Sequence, residues 1–280
     1  MKSSRTANKK PSVGKRSKYM KKTQPKVIYY KDELNDEFSS AEITPRKIGG
    51  DYKYERNSAF DKILHFLLYR IVAIPVAFCY LKLKFGLKIV NRQAIKPYLG
   101  KGCFIFGNHT QALADPCVPT FITFPHRANI VVHPNNVSIK VIGKCTPYLG
   151  AIPLPDDMAA SRNFLKCIES RLKKNQAIFI YPEAHIWPYF TGIRNFPSAS
   201  FHYPVKYNTP VFCFTNTYKA RKHRKTPRMV TYVDGPFFPN EELPLMQRKT
   251  ELRDRVYACM CKRAENSDVN VIEYRKEKNR

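Results

Sequence analysis

Apolar and polar positions follow no sustained period over the first fifth of this chain, and then the pattern changes abruptly. From Ile63 to Leu81 every residue is apolar or aromatic except His65, Arg70 and Pro75. Nineteen such residues predict a helix that would just cross a bilayer. Its eleven Leu, Ile, Val and Phe side chains favour insertion by roughly 3–7 kcal/mol, while a central arginine opposes it by about 2.5–3.5 kcal/mol. His65 and Pro75 subtract further. The segment therefore reads as a helix lying in the membrane interface, or a re-entrant helical pair bent near Pro75, in preference to a full span. A core helix of a soluble domain is the competing reading.

From about residue 102 the pattern becomes that of an α/β domain. Short apolar runs bounded by turn residues occur at 103–107 (CFIFG), 129–132, 177–181 (AIFIY), 210–214 (PVFCF) and 229–233 (MVTYV). Each has the length and the branched or aromatic content of a buried strand. Ala159 to Lys174 reads as a helix with Phe164, Leu165, Ile168 and Leu172 apolar, and 246–265 as a last helix with Leu252, Val256, Tyr257 and Met260 on one face. Strands alternating with helices imply a largely parallel central sheet flanked by helices on both sides. The chain is thus expected to divide into a disordered basic tail (1–26), an extended lead-in (27–57), an apolar membrane-associating helical segment (58–99) and the α/β domain (100–280).

Composition narrows the environment. Eight cysteines form no CxxC pair, and several lie inside apolar runs, which suits small buried hydrophobes in a reducing compartment. No stretch has the three regions of a signal peptide, so the expected location is the cytosol or the cytoplasmic face of the cell membrane, peripheral or monotopic. The net charge of +27 calls for an anionic membrane surface or nucleic acid. Residues 1 to 26 hold ten Lys or Arg and no acid, and a second knot lies at Lys219 to Arg228, KARKHRKTPR. No recognised nucleic-acid module is present, which weighs against a basic nucleic-acid-binding protein.

The candidate chemistry lies in FIFGNHTQALADP, Phe104 to Pro116. Imidazole is the side chain best suited to accept a proton near neutral pH, and a carboxylate fixes its tautomer and balances its cation. His109 and Asp115 therefore read as a base and its orienter, with Asn108 as a polar positioner. The competing reading is a loop histidine and a helix-starting aspartate that never meet. In an open α/β sheet, active groups collect beyond the carboxyl ends of strands. Both this segment and Tyr181 to His185 (YPEAH) follow a strand there. No HExxH or close ligand spacing points to a metal, and no cofactor motif occurs.

The order NH…D, then GAIPLP, then YPEA, then NTPVF resembles the lysophospholipid acyltransferase family, which includes 1-acylglycerol-3-phosphate acyltransferases. NHTQ, YPEAHIWPY and TNTY look like a bacterial branch of it. The resemblance spans roughly residues 100 to 235 and implies a glycerolphosphate acyltransferase-like fold. It also implies transfer of a fatty acyl group from an acyl-CoA or acyl-carrier-protein thioester to a lysophospholipid, lysophosphatidic acid foremost. Residue by residue, it places the catalytic pair at His109 and Asp115 and the neighbouring asparagine at Asn108. The acceptor-holding glycine block falls at Gly150 to Leu154, the Pro-Glu of the third motif at Pro182 and Glu183, and the fourth motif at Pro210. Glu183 then either meets an acceptor hydroxyl or braces its loop.

Three departures stand out. Five residues, Thr110 to Ala114, separate His109 from Asp115 where the family has four, a shift of about 100° on a helix. Ala184, His185 and Ile186 replace the usual Gly-Thr-Arg. Asp156 sits where an arginine commonly meets the acceptor phosphate, leaving Arg194, Arg162 and Lys144 as the nearest cations, Arg194 first. The same fold with a different acceptor is the alternative. Trp187, Tyr189 and Phe190 are expected to line an apolar wall, either core or acyl channel. His185 is either a titrating group or a packed loop residue.

Overall fold

The computed structural model describes residues 24–39 and 43–277. Most of the expected basic tail, 1–23, lies outside the described residues. The first strand, β1 (Lys26–Tyr30), is followed by a long helix, α1 (Ala59–Phe85). Then come β2 (Lys88–Val90), β3 (Cys103–Gly107), α2 (Val118–Thr123), β4 (Ala128–Val132), α3 (Asn135–Ser138) and α4 (Ile142–Cys145). The order continues through β5 (Ala151–Pro153), α5 (Met158–Lys173), β6 (Ala177–Ile180), α6 (His202–Tyr207), β7 (Val211–Arg221), β8 (Arg224–Phe237), α7 (Leu245–Ala264) and β9 (Ile272–Lys276).

Seven strands form the central sheet in the order β2-β8-β7-β3-β6-β4-β5. All neighbours run parallel except β7 and β8. The largely parallel, helix-flanked sheet expected from the pattern is present. Alternation along the central strands explains why it is covered twice. Cys103, Ile105, Ala177, Phe179, Phe212 and Phe214 face a core shared with Leu81, Phe85, Val118 and Ile122. Phe104, Phe106, Ile178, Ile180, Val211 and Cys213 face the opposite core, with Phe164, Ile168, Leu252, Val256 and Met260. Successive residues of a strand point to opposite faces, so a strand apolar at every position needs helices on both sides.

Three differences from the sequence reading bear on the site. The 210–214 and 229–233 runs are the cores of much longer strands, β7 and β8, joined as an antiparallel hairpin whose tip is the basic knot. The lead-in holds a strand, β1, that pairs in parallel with β9 in a separate two-stranded sheet. Neither partner shows a strong period, because each is specified by the other. Finally, the apolar segment is one unbroken helix, not a re-entrant pair bent at Pro75. Pro75 lacks an N–H, and its helix widens just before it: the N–H of Ile74 reaches back five residues to the Tyr69 carbonyl. This helix is long and apolar enough to cross a membrane by length and composition. One face docks on the domain through Tyr69, Ala77, Leu81 and Phe85, while Phe66, Ile71, Val76 and Leu83 stay exposed.

Candidate active site

The site begins where β3 ends. Gly107 is obligatory there, since a Cβ would stand 2.1 Å from the Phe214 ring on β7. The chain then turns over the carboxyl edge of the sheet through Asn108, His109, Thr110 and Gln111.

His109 and Asp115 do meet. His109 Nδ1 lies 2.8 Å from Asp115 Oδ2. The five-residue spacer is accommodated because α2 starts only at Val118, leaving Asp115 in the turn ahead of it. That turn closes with the Asp115 N–H donating to the Gln111 carbonyl at 3.0 Å. The same Oδ2 accepts the N–H groups of Thr110 at 2.7 Å and Gln111 at 2.8 Å, and Oδ1 accepts Asn216 Nδ2 at 3.1 Å. An oxygen ringed by N–H donors acts only as acceptor, so the shared hydrogen belongs to His109 Nδ1. Nε2 is therefore the ring nitrogen left to accept a hydrogen bond. Asp115 is wholly buried, and the His109 side chain keeps 17% exposure.

Several residues outside the expected site set hold this pair. Tyr181, at the end of β6, stacks on the His109 ring at 4.5 Å and donates its hydroxyl to the Asp115 carbonyl at 2.6 Å. Burial and the negative charge of Asp115 push the Tyr181 hydroxyl well above its ordinary pKa, which keeps it a donor. Asn216, in the middle of β7, passes the constraint onward: its Oδ1 accepts the Thr231 hydroxyl at 2.6 Å. Tyr218 takes the Thr110 hydroxyl at 2.8 Å and Gln111 Nε2 at 3.2 Å. One signal for this layer was available in the sequence. Thr215-Asn216-Thr217 interrupts an apolar strand, and buried polar side chains require partners.

The remaining expected site residues fall into three places. Asn108 is buried beside His109, and its amide is engaged by the Asn216 backbone on both sides, at 2.8 and 3.0 Å. Glu183 and Arg194 form a buried ion pair at 3.3 Å directly under the site. Glu183 Oε2 accepts the His109 N–H at 3.1 Å and Oε1 accepts the Arg194 N–H at 3.1 Å. Arg194 also donates to the carbonyls of His185 and Glu33 and lies 5.0 Å over the Trp187 ring. Burial raises the Glu183 pKa, opposed by the Arg194 charge and these N–H groups. Gly150 and Arg162 lie elsewhere. Gly150 immediately precedes β5, at the edge of the sheet and at the amino ends of its strands, where a Cβ would meet the Ala128 carbonyl at 2.3 Å. Arg162 and Lys144 are exposed on α5 and α4. Asp156 fastens the lead-in, its Oδ2 accepting the Ile48 N–H at 2.7 Å.

The aromatic residues after the third motif resolve to core. Trp187 is buried among Tyr30, Phe38, Phe190 and Tyr274, which ties β1 and β9 to the domain. His185 pairs with Glu37 at 3.4 Å. Tyr189 instead borders the site: its N–H donates to the Thr110 carbonyl at 3.1 Å and its ring packs 5.2 Å from Tyr218. Burial raises the Tyr189 hydroxyl, and the nearby charge of Lys84, at the end of α1, opposes that rise. Between α1 and α2 lies a groove of about 280 Å³, walled by Phe78, Leu81, Leu87, Ile89, Phe121 and Phe124 together with Lys82 and Arg92.

For metals, Cys213, Asp234 and Cys259 bring one ligand atom each within 4.8 Å of one another. Asp234 is already clasped by Arg263 at 2.6 and 2.8 Å, which satisfies its charge.

No protein-family model matches the chain, and no curated protein matches it. Among solved structures it is similar to the 1-acyl-sn-glycerophosphate (LPA) acyltransferase PlsC from Thermotoga maritima, with 16% identity over 74% of this chain and 80% of that one and a TM-score of 0.49.

Proposed function

We propose that this chain is a membrane-associated acyltransferase that esterifies the free hydroxyl of a lysophospholipid, lysophosphatidic acid foremost, from an acyl-CoA or acyl-carrier-protein thioester. The observation that carries the reading is the tautomer lock on His109: Asp115 Oδ2 holds Nδ1–H at 2.8 Å while two backbone N–H groups fix the carboxylate. Nε2 takes the proton of the attacking hydroxyl as its oxygen bonds to the thioester carbonyl carbon. Collapse of the tetrahedral adduct breaks the C–S bond, and the imidazolium returns the proton to the departing thiolate. A positioned base contributes about 10²–10⁴-fold to such a step.

The groove between α1 and α2 suits an acyl chain by its six apolar side chains, with Lys82 and Arg92 as its polar lining. The acceptor phosphate is assigned to Lys84. Arg194, the first choice from sequence, is buried and bonded to Glu183, whereas Lys84 is exposed at the end of α1 and its charge acts on Tyr189, which holds the Thr110 carbonyl.

Transfer assays with labelled CoA and carrier-protein thioesters and a panel of lysophospholipids test this. Wild type should acylate lysophosphatidic acid, and His109→Ala should lose at least a hundredfold in kcat. Equal turnover by the variant sinks the base assignment. Turnover confined to an acceptor without phosphate removes lysophosphatidic acid and leaves acyl transfer standing.

A further inference from the structure

The outer half of the β7–β8 hairpin has no use in the chemistry above. β3 pairs with β7 only over Val211–Phe214, and β2 pairs with β8 only over Val230–Tyr232. The two long strands continue alone from the Tyr218–Met229 pair to Arg221–Arg224, without a third strand. Six Lys or Arg and no acid occupy 219–228. Lys219 pairs with Asp268 at 3.7 Å, but among the described residues no carboxylate lies within ion-pair distance of Arg221, Arg224, Lys225 or Arg228. Arg221 also has its pKa lowered, by burial first and then by the crowding of Arg224 and Arg228. Concentrated like charge of this kind destabilises a fold unless an anionic partner uses it.

Its location identifies the partner. Arg221 donates to the Lys84 carbonyl at the end of α1. A Cβ on Gly86, the residue after that helix, would lie 3.0 Å from Arg221 Nη1 and 3.6 Å from Arg228 Nε. The basic tip is therefore contiguous with a helix whose Phe66, Ile71, Val76 and Leu83 are 55%, 57%, 63% and 72% exposed. A nucleic acid would answer the charge and leave that apolar face in water. A lipid surface answers both, with acyl chains under the helix and phosphate headgroups under the hairpin.

We propose that the β7–β8 hairpin is an anionic-lipid contact, seated beside the end of α1, that selects and orients the protein on negatively charged membrane. This rests on the membrane contact of α1 proposed above. The three cations of β8, Arg224, Lys225 and Arg228, all exposed, supply the headgroup contacts, and the exposed face of α1 supplies insertion.

Vesicle co-sedimentation of the full chain tests it, with neutral phosphatidylcholine vesicles and with vesicles containing about one-third phosphatidylglycerol. Each basic side chain near an anionic surface is worth about fivefold in partitioning. The variant Arg224→Gln/Lys225→Gln/Arg228→Gln should lose about a hundredfold on anionic vesicles, with no change on neutral ones or in acyl transfer to detergent-dispersed acceptor. Arg224→Lys/Arg228→Lys should bind as wild type does. Unchanged partitioning of the triple variant to anionic vesicles overturns the proposal, and so does an equal loss on both vesicle types. A loss of binding to a labelled RNA without loss on vesicles reassigns the hairpin to nucleic acid and overturns it too. Wild type that binds neither vesicle removes the α1 reading along with the hairpin, whereas Phe66→Ser/Ile71→Ser weakening both vesicle types upholds α1 independently.

Discussion

Replacing Asp115 with asparagine removes one charge and keeps the shape of the side chain. In the folded protein Oδ2 receives three N–H groups and Oδ1 receives one. An amide oxygen placed at the Oδ2 position preserves the three, including the bond from His109 Nδ1. Its NH₂ then faces the Asn216 amide, which can turn over because the Thr231 hydroxyl, now its partner at 2.6 Å, rotates to donate or accept. The tautomer of His109 therefore survives, and what disappears is the negative charge opposite the developing imidazolium. With the ring centre and carboxylate about 4 Å apart and an effective dielectric near 20, that attraction is about 4 kcal/mol. The expected loss is about 10³-fold in kcat with KM unchanged, since each 1.4 kcal/mol is about tenfold. Relief of burying an ion offsets the weaker hydrogen bonds, so unfolding free energy should fall by no more than about 2 kcal/mol. Steady-state kinetics beside a denaturant melt separates the two. A variant that keeps kcat within about tenfold of wild type refutes the charge-balancing role of Asp115.

Lys84→Met should raise KM for lysophosphatidic acid by about tenfold and leave KM for an uncharged acceptor alone, the contrast being measured in parallel assays; equal effects on both would remove the phosphate assignment. Glu183→Ala leaves the Arg194 guanidinium buried without its carboxylate and should cost about 3–5 kcal/mol in a denaturant melt, much of it recovered in Glu183→Met/Arg194→Met. If the double variant is as unstable as the single one, the pair is not what holds this loop. Burial and the Asp115 charge push the Cys117 thiol up to about 11. Its thiolate fraction at pH 8 is then about a hundredth of that of an ordinary thiol, so mass spectrometry should find Cys117 alkylated far more slowly than exposed Cys79. Equal rates would show that burial and the Asp115 charge do not hold the Cys117 thiol protonated.

The periods in the chain were sufficient to read the sheet. An apolar residue at every position of 103–107 and 177–180 forces two covering layers, and four of the five strands read, β3, β4, β6 and β7, run parallel as the helices between them require, while β8 returns antiparallel. The pairing of His109 with Asp115 was also legible, because a histidine and a carboxylate just beyond a buried strand have few places to go. What six residues of separation left open was the contact itself, which depends on where α2 begins. A helix started at Ala112 would carry Asp115 away from His109; one started at Val118 folds it back. That choice is made by the carboxylate, which captures the Thr110 and Gln111 N–H groups, and by Tyr181 and Asn216, on strands distant in sequence.

Charge shows the same division. The sequence counted the cations but carried no information on which ones face a ligand. Arg194, nearest to the third motif, is turned inward by Glu183, whereas Lys84, at the end of α1, stays exposed. The hairpin, too, was visible only as a basic knot, since β7 and β8 extend by pairing with each other and not by any period of their own. Local pattern determined which strands and helices exist, because burial acts on each position separately. Tertiary structure decided which side chains share a site, because hydrogen bonds and ion pairs form between residues a hundred positions apart.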